Sequence, residues 1–113
     1  MSLVKRSESI IVRACCDYLA AKRHFFWRQN NAGIMRTDLK GRKFWTTPVH
    51  SRKGVPDIFV LVKDVVSRFF AVEVKTEVGR QSPEQRQFQE EWEQRGGVYV
   101  LARGVDALIE VGL

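Results

Sequence analysis

Two runs of apolar and β-branched residues, Asp57 to Val62 (DIFVLV) and Phe69 to Lys75 (FFAVEVK), stand six residues apart in the chain. Runs of this composition suit strands, and a short polar connection around Lys63 to Arg68 leaves them little choice but to pair as an antiparallel hairpin. The next signal is as local. Ser82-Pro83-Glu84-Gln85 combines an N-cap serine, a proline at the first helical position, an early acid and the glutamine of a capping box, so a helix starts there. That helix carries Phe88 and Trp92 on one face and stops at Gly96-Gly97, after which Val98 to Ala102 (VYVLA) reads as another strand.

The N-terminal half is less sharply patterned. From Ser7 to Arg23 the apolar residues Ile10, Ile11, Ala14, Cys15, Tyr18 and Leu19 recur at helical spacing, which predicts an amphipathic helix capped at Ser7 with Glu8 in its first turn. Phe25 to Gln29 is short, aromatic and bounded by Asn30, Asn31 and Gly33, hence a strand. Ile34 to Gly54 is basic and contains glycine, with a possible strand around Phe44 to Val49, so a hairpin or an exposed loop is expected. The tail from Gly104 predicts a short helix around Val105 to Ile109.

At 113 residues the chain is expected to form one domain, spanning 1–113, and 44% hydrophobic residues with twelve aromatics argue against disorder or a disulfide scaffold. No apolar run reaches the roughly 20 residues of a membrane span, and the first residues lack the apolar stretch of a signal peptide. A soluble, cytoplasmic protein with no membrane partner is the expectation. Cys15 and Cys16 are neighbours that cannot cross-link distant segments and lack zinc-site spacing, so they read as reduced helix residues.

A formal charge of +6 favours a polyanionic partner. The distribution is more telling than the total. Between Lys22 and Lys53 lie nine Lys and Arg residues and one acid, Asp38, interleaved with Phe25, Phe26, Trp27, Phe44 and Trp45. Such a segment can neutralise phosphates and stack on bases, although charge alone also fits a solvated basic surface.

Charges inside the core runs are the sharpest signal. Glu73 and Lys75 interrupt a hydrophobic strand, and a period of two sets both on one face. If the hairpin turn centres near Val66, partner numbers sum to about 132, which places Asp57 opposite Lys75 and diagonal to Glu73. Asp57, Glu73 and Lys75 then converge. Two carboxylates can hold Mg²⁺ while waters and a phosphate oxygen complete its shell, and a lysine can orient the attacking water or offset developing charge. Glu-x-Lys alone is a common tripeptide and fits an exposed edge; the full constellation does not.

Gly54-Val55-Pro56-Asp57-Ile58, then Glu73-Val74-Lys75, then Ser82-Pro83-Glu84-Gln85 before a helix resembles the VRR-NUC (virus-type replication-repair nuclease) branch of the PD-(D/E)XK nuclease superfamily. The likeness extends to Glu8 on the first helix and to Trp27-Arg28-Gln29-Asn30 in the first strand, and it is to the stand-alone form found in phages and bacteria. The resemblance implies an α/β, restriction-endonuclease-like core in the order αβββαβ, a central mixed sheet flanked by helices. It implies Asp57 and Glu73 as metal-binding carboxylates, Glu8 as a further acid facing the metal, Lys75 as the catalytic lysine and Gln85 as the supporting glutamine. Glu8 also fits a helix-dipole acid, and Gln85 a capping-box partner of Ser82. Arg28, Asn30, Arg52 and Lys53 are candidate DNA contacts, whereas His24 and His50 have no partner that would make them ligands or a base.

The implied function is a Mg²⁺- or Mn²⁺-dependent endonuclease on branched or duplex DNA, leaving a 5′-phosphate and a 3′-hydroxyl, with no organic cofactor. Stand-alone relatives by resemblance act as homodimers on four-way (Holliday) junctions, since paired cuts need two sites in symmetric relation. Phe44 and Trp45, or Val105, Leu108 and Ile109, could supply the interface or ordinary core packing. The competing readings are a flap, nick or linear-duplex nuclease of the same chemistry and a nucleic-acid-binding module without catalysis. A pure binder gains nothing from two carboxylates beside a phosphate. An interaction domain docking through the Gln81 to Gln94 helix is weaker, because Phe88 and Trp92 are better used on the sheet.

Overall fold

The computed structural model describes residues 6–29 and 34–113. Asn30 therefore lies outside the described residues. The elements follow in the order α1 (Glu8–Ala21), β1 (Phe25–Arg28), β2 (Ile34–Thr37), β3 (Lys43–Thr46), β4 (Ile58–Val62), β5 (Arg68–Val74), α2 (Pro83–Gln94), β6 (Val98–Ala102) and α3 (Asp106–Glu110). Four strands form one sheet in the order β1-β4-β5-β6, antiparallel at the first two junctions and parallel between β5 and β6. The parallel pair requires a crossover, which α2 provides. This is the α/β fold with a mixed central sheet flanked by helices that the PD-(D/E)XK order demands. The αβββαβ core is α1, β1, β4, β5, α2 and β6, with the β2–β3 hairpin set between its first two strands.

Strand alternation divides the core in two. Ile58, Val60, Phe70, Val72 and Val74 join Ile11, Val12, Cys15 and Leu19 of α1 and Leu108 of α3 in one buried cluster. On the other face Phe59 and Phe69 meet Trp92 at ring-centroid distances of 5.5 and 5.2 Å, and Trp27 stacks on Phe59 at 5.4 Å. Leu108 is thus core and not interface, while Ile109 beside it stays exposed. The Tyr18 hydroxyl ties α1 to the end of the chain by donating to the Leu113 carbonyl at 2.8 Å.

Two expectations need correction. Ile10 is 56% exposed, and Val12 takes its place in the core at 3%. With about 100° between successive helical positions, the buried arc that Ile11, Cys15 and Leu19 define includes Val12 and turns Ile10 outward. The hairpin register is also displaced by two residues. Ile58 faces Val72 and Val62 faces Arg68, so partner numbers sum to 130. Arg68 joins the strand and its side chain meets Asp64 at 3.5 Å, which shortens the loop and centres it on Val65. An even shift keeps every side chain on its face, so Asp57 still converges with Glu73 and Lys75, though by extension of this register its opposite number is Glu73.

Candidate active site

The site is built at one end of the sheet, where β4 begins and β5 ends. The loop leading into β4 runs against the first turn of α2. Gly54 has φ +78° there, and a Cβ on it would lie 2.5 Å from the Glu84 carbonyl carbon, so only glycine can pass. Asp57 follows the buried Pro56. Its N–H donates to Val72 O at 3.0 Å and its carbonyl accepts from Gln29 N–H at 2.7 Å, locking it between β5 and the end of β1. One carboxylate oxygen accepts the Val74 N–H at 2.8 Å.

Glu73 is the one buried charged residue of the described core, at 3% exposure. Its Oε1 accepts from Gln85 Nε2 at 2.5 Å and lies 3.8 Å from Lys75 Nζ, while its Oε2 is buried without a hydrogen-bond partner. A buried oxygen left without a donor is costly, so the arrangement calls for a cation or a proton. Burial, reinforced by the neighbouring Asp57, pushes the Glu73 carboxyl up to about 8. Asp57 is raised in the same direction, again by burial first, against the pull of the Val74 N–H.

Lys75 continues the line of β5 and is held by its N–H to Ala102 O at 2.9 Å. Its ammonium reaches 4.0 Å from Glu8 Oε1 as well as the Glu73 carboxylate. Gln85 fills two roles with one amide. Its Oε1 accepts the Ser82 N–H at 2.8 Å to complete the capping box, leaving Nε2 for Glu73.

The structure thus brings Asp57, Glu73, Lys75 and Gln85 together, with Glu8 at the border. Among the described residues no three His, Cys, Asp or Glu side chains are close enough to form a ready-made metal cluster. Glu8 reaches the lysine and acts on Asp57 and Glu73 through its charge alone. Two carboxylates with one orphaned oxygen nevertheless fit a Mg²⁺-sized ion, which keeps several waters and takes one or two protein carboxylates beside a phosphate.

The candidate DNA contacts separate. Arg28 is exposed at the end of β1, close enough to Asp57 to pull its carboxyl down. Lys53 is exposed in the loop before Gly54. Arg52 is already engaged: its guanidinium pairs with Glu91 of α2 and covers the Phe88 ring at 5.1 Å. Sequence reasoning missed Arg103, which follows β6 and gathers the carbonyls of Thr76, Glu77 and Gly79 at 2.5, 3.3 and 2.8 Å. It fixes the loop that leaves Lys75. The only signal for it was an arginine directly after a strand, which is too common to read. Gln81 likewise bridges Gln89 and the Tyr99 hydroxyl at 2.9 and 3.1 Å.

A mixed sheet with an Asp…Glu-x-Lys set at the end of its central hairpin defines the PD-(D/E)XK class of nucleases. The VRR-NUC domain matches residues 35–106, well over half of the chain, and the chain belongs to that family. It is accordingly a nuclease of that type, with DNA the implied substrate. No curated protein and no solved structure matches it significantly. The matched stretch contains Asp57, Glu73, Lys75 and Gln85, whereas Glu8 and Arg28 precede it and stand on geometry. No helix among the described residues is long and apolar enough to cross a membrane.

Proposed function

We propose that residues 1–113 form one Mg²⁺- or Mn²⁺-dependent DNA endonuclease domain, cytoplasmic and dimeric, that acts on branched DNA of the four-way-junction kind. The observation that carries this reading is the buried Glu73 oxygen without a partner beside Asp57 and Lys75. Asp57 and Glu73 would hold the ion, with Glu8, which meets Lys75, as the further acid at the site. A divalent ion held there would polarise the phosphodiester and make a nearby water more acidic.

The chain's own groups do the rest. Lys75, confined between Glu8 and Glu73, orients the attacking water and offsets the charge that grows on the phosphate oxygens. Gln85 keeps the Glu73 carboxylate in one orientation, and the α2 cap keeps Gln85 in place. Arg28, Asn30 and Lys53 contact backbone phosphates, with Arg52 contributing less because Glu91 already compensates its charge.

Support for the dimer comes from β2–β3. Ile34, Met35, Phe44 and Trp45 are all 45% or more exposed on that hairpin, and two strands alone are at best marginally stable in water. The deciding experiment compares cleavage of a labelled four-way junction, a flap, a linear duplex and a single strand, with Mg²⁺ and with EDTA. Preferential, EDTA-sensitive cutting of the junction is expected. Equal cutting of flap or linear duplex would move the reading to a nuclease of the same chemistry, and DNA binding without cleavage of any substrate would leave only a binding module.

A further inference from the structure

Between α1 and β1 runs a shallow, open groove lined by Ser9, Ile10, Arg13, Cys16, Phe26 and Arg28. Its position follows from the topology. β1 is the edge strand next to β4, Arg28 lies opposite Ile58, and the following Gln29 N–H binds the Asp57 carbonyl, so Arg28 stands at the Asp57 end of that edge. Arg13 follows Glu8, the acid that meets Lys75, by five residues on α1, about 7.5 Å along the helix and about 140° around it, on the side that faces the groove. Among the described residues neither Arg13 nor Arg28 is in an ion pair, whereas Arg42, Arg52 and Arg68 each meet a carboxylate. Ile10, turned out of the core, and the half-buried Phe26 add apolar lining to the groove.

We propose that this groove is a nucleic-acid backbone subsite, in which Arg13 and Arg28 hold successive phosphates of the strand that runs from the reacting phosphate across the β1 edge. The proposal rests on the nuclease reading of Asp57 and Glu73. Guanidinium groups suit phosphate oxygens through two parallel N–H donors, and apolar lining beside them suits the sugar edge that separates phosphates. The placement also serves the carboxylates. Two acids repel a phosphate, so cations set one step to the side retain the strand until the divalent ion is in place.

The test is made on the intact chain in EDTA, where no cutting occurs. Wild type, Arg13→Gln, Arg28→Gln, Arg13→Lys and Lys63→Gln are titrated with a labelled duplex across a range of salt. The same proteins are titrated with duplexes in which one phosphate at a time is replaced by a neutral methylphosphonate. Lys63 lies in the β4–β5 turn at the far end of the sheet and serves as the charge control. Each Arg→Gln change is expected to flatten the slope of log K against log salt by about 0.9. Each should also become indifferent to the methylphosphonate at one position where wild type loses affinity, and Arg13→Lys should keep the wild-type slope. An unchanged slope in Arg13→Gln, an equal flattening in Lys63→Gln, or a slope flattened in Arg13→Lys as much as in Arg13→Gln would overturn the subsite, as would wild type that fails to bind. Failure of the nuclease reading shows elsewhere, as absent cleavage with Mg²⁺ despite intact binding.

Discussion

β2–β3 and β4–β5 are both antiparallel hairpins, with four and five facing residue pairs respectively, and both mix apolar with charged side chains. The second is covered on both faces, by α1 and by α2, and its one buried acid, Glu73, is answered by Gln85 and Lys75. The first is open on both faces. Its turn is secured locally, with Asp38 accepting the Lys40 and Arg42 N–H groups at 2.9 Å each, but every strand residue except Thr46 is exposed. A charge inside a covered hairpin must be satisfied by specific partners and so marks chemistry. Apolar groups on an uncovered one mark a surface that lacks its partner.

The comparison breaks first if the covered hairpin is not catalytic. Lys75→Ala is expected to lower the single-turnover cleavage rate with Mg²⁺ by roughly 10²- to 10⁴-fold while DNA affinity in EDTA stays near wild type. Asp57→Asn should lose as much activity and bind metal-free DNA at least as tightly, because one repelling charge is gone. Wild-type turnover in either variant would remove the assigned role.

Next in size is the contribution of the uncovered hairpin to assembly. Twice the chain mass of 13.1 kDa gives a dimer of about 26 kDa, expected in sedimentation at micromolar concentration. Replacing Phe44 and Trp45 together by serine should yield folded monomers whose melting temperature no longer rises with protein concentration, since neither side chain belongs to the core. A dimer that survives this change, or a fold that melts with it, would put the two hairpins on the same footing.

A smaller effect reads the burial of Glu73 through pH. Its carboxyl is raised to about 8 from an ordinary 4.5, so the folded chain holds a proton that the unfolded chain releases. Both states are protonated below pH 4.5, and wild-type stability without metal then falls as pH rises from about 4.5 to about 8. Asp57, shifted the same way, adds to the decline. Glu73→Gln cannot ionise. Its advantage over wild type in urea unfolding should be absent well below pH 4.5 and grow to roughly 4 kcal/mol at pH 8. Adding Mg²⁺ at pH 8 should stabilise wild type and leave the variant unmoved, and a pH-independent difference would show that Glu73 is not held protonated by its surroundings.

The two hairpins also explain what was legible in the chain. Glu73, Lys75 and Asp57 could be read because strand alternation is local, and Gln85 because a capping box spans four residues. The register could not be read, since it depended on whether Arg68 joined the strand, a choice made by its contact with Asp64 in the turn. Ile10 and Val12 exchanged places because a helix of mostly apolar residues does not declare which arc its sheet will cover. Arg103 and the Arg52–Glu91 pair were invisible for a different reason. Each joins segments more than 20 residues apart, and no local pattern encodes such a meeting.

That last pair sets the finest test. Arg52 and Lys53 are sequence neighbours in the basic segment, and composition treats them alike. The fold does not, because Arg52 lies on Phe88 with Glu91 at its guanidinium while Lys53 is exposed without an ion pair among the described residues. An arginine already neutralised releases few counterions when DNA arrives. Lys53→Gln should therefore flatten the slope of log K against log salt by about 0.9, and Arg52→Gln by clearly less. Arg52→Gln should instead lower the melting temperature slightly, through the lost contact with Phe88 and the unpaired Glu91. Equal slopes for the two variants would mean that DNA draws Arg52 away from Glu91, and the basic loop before Asp57 would then rearrange as substrate binds.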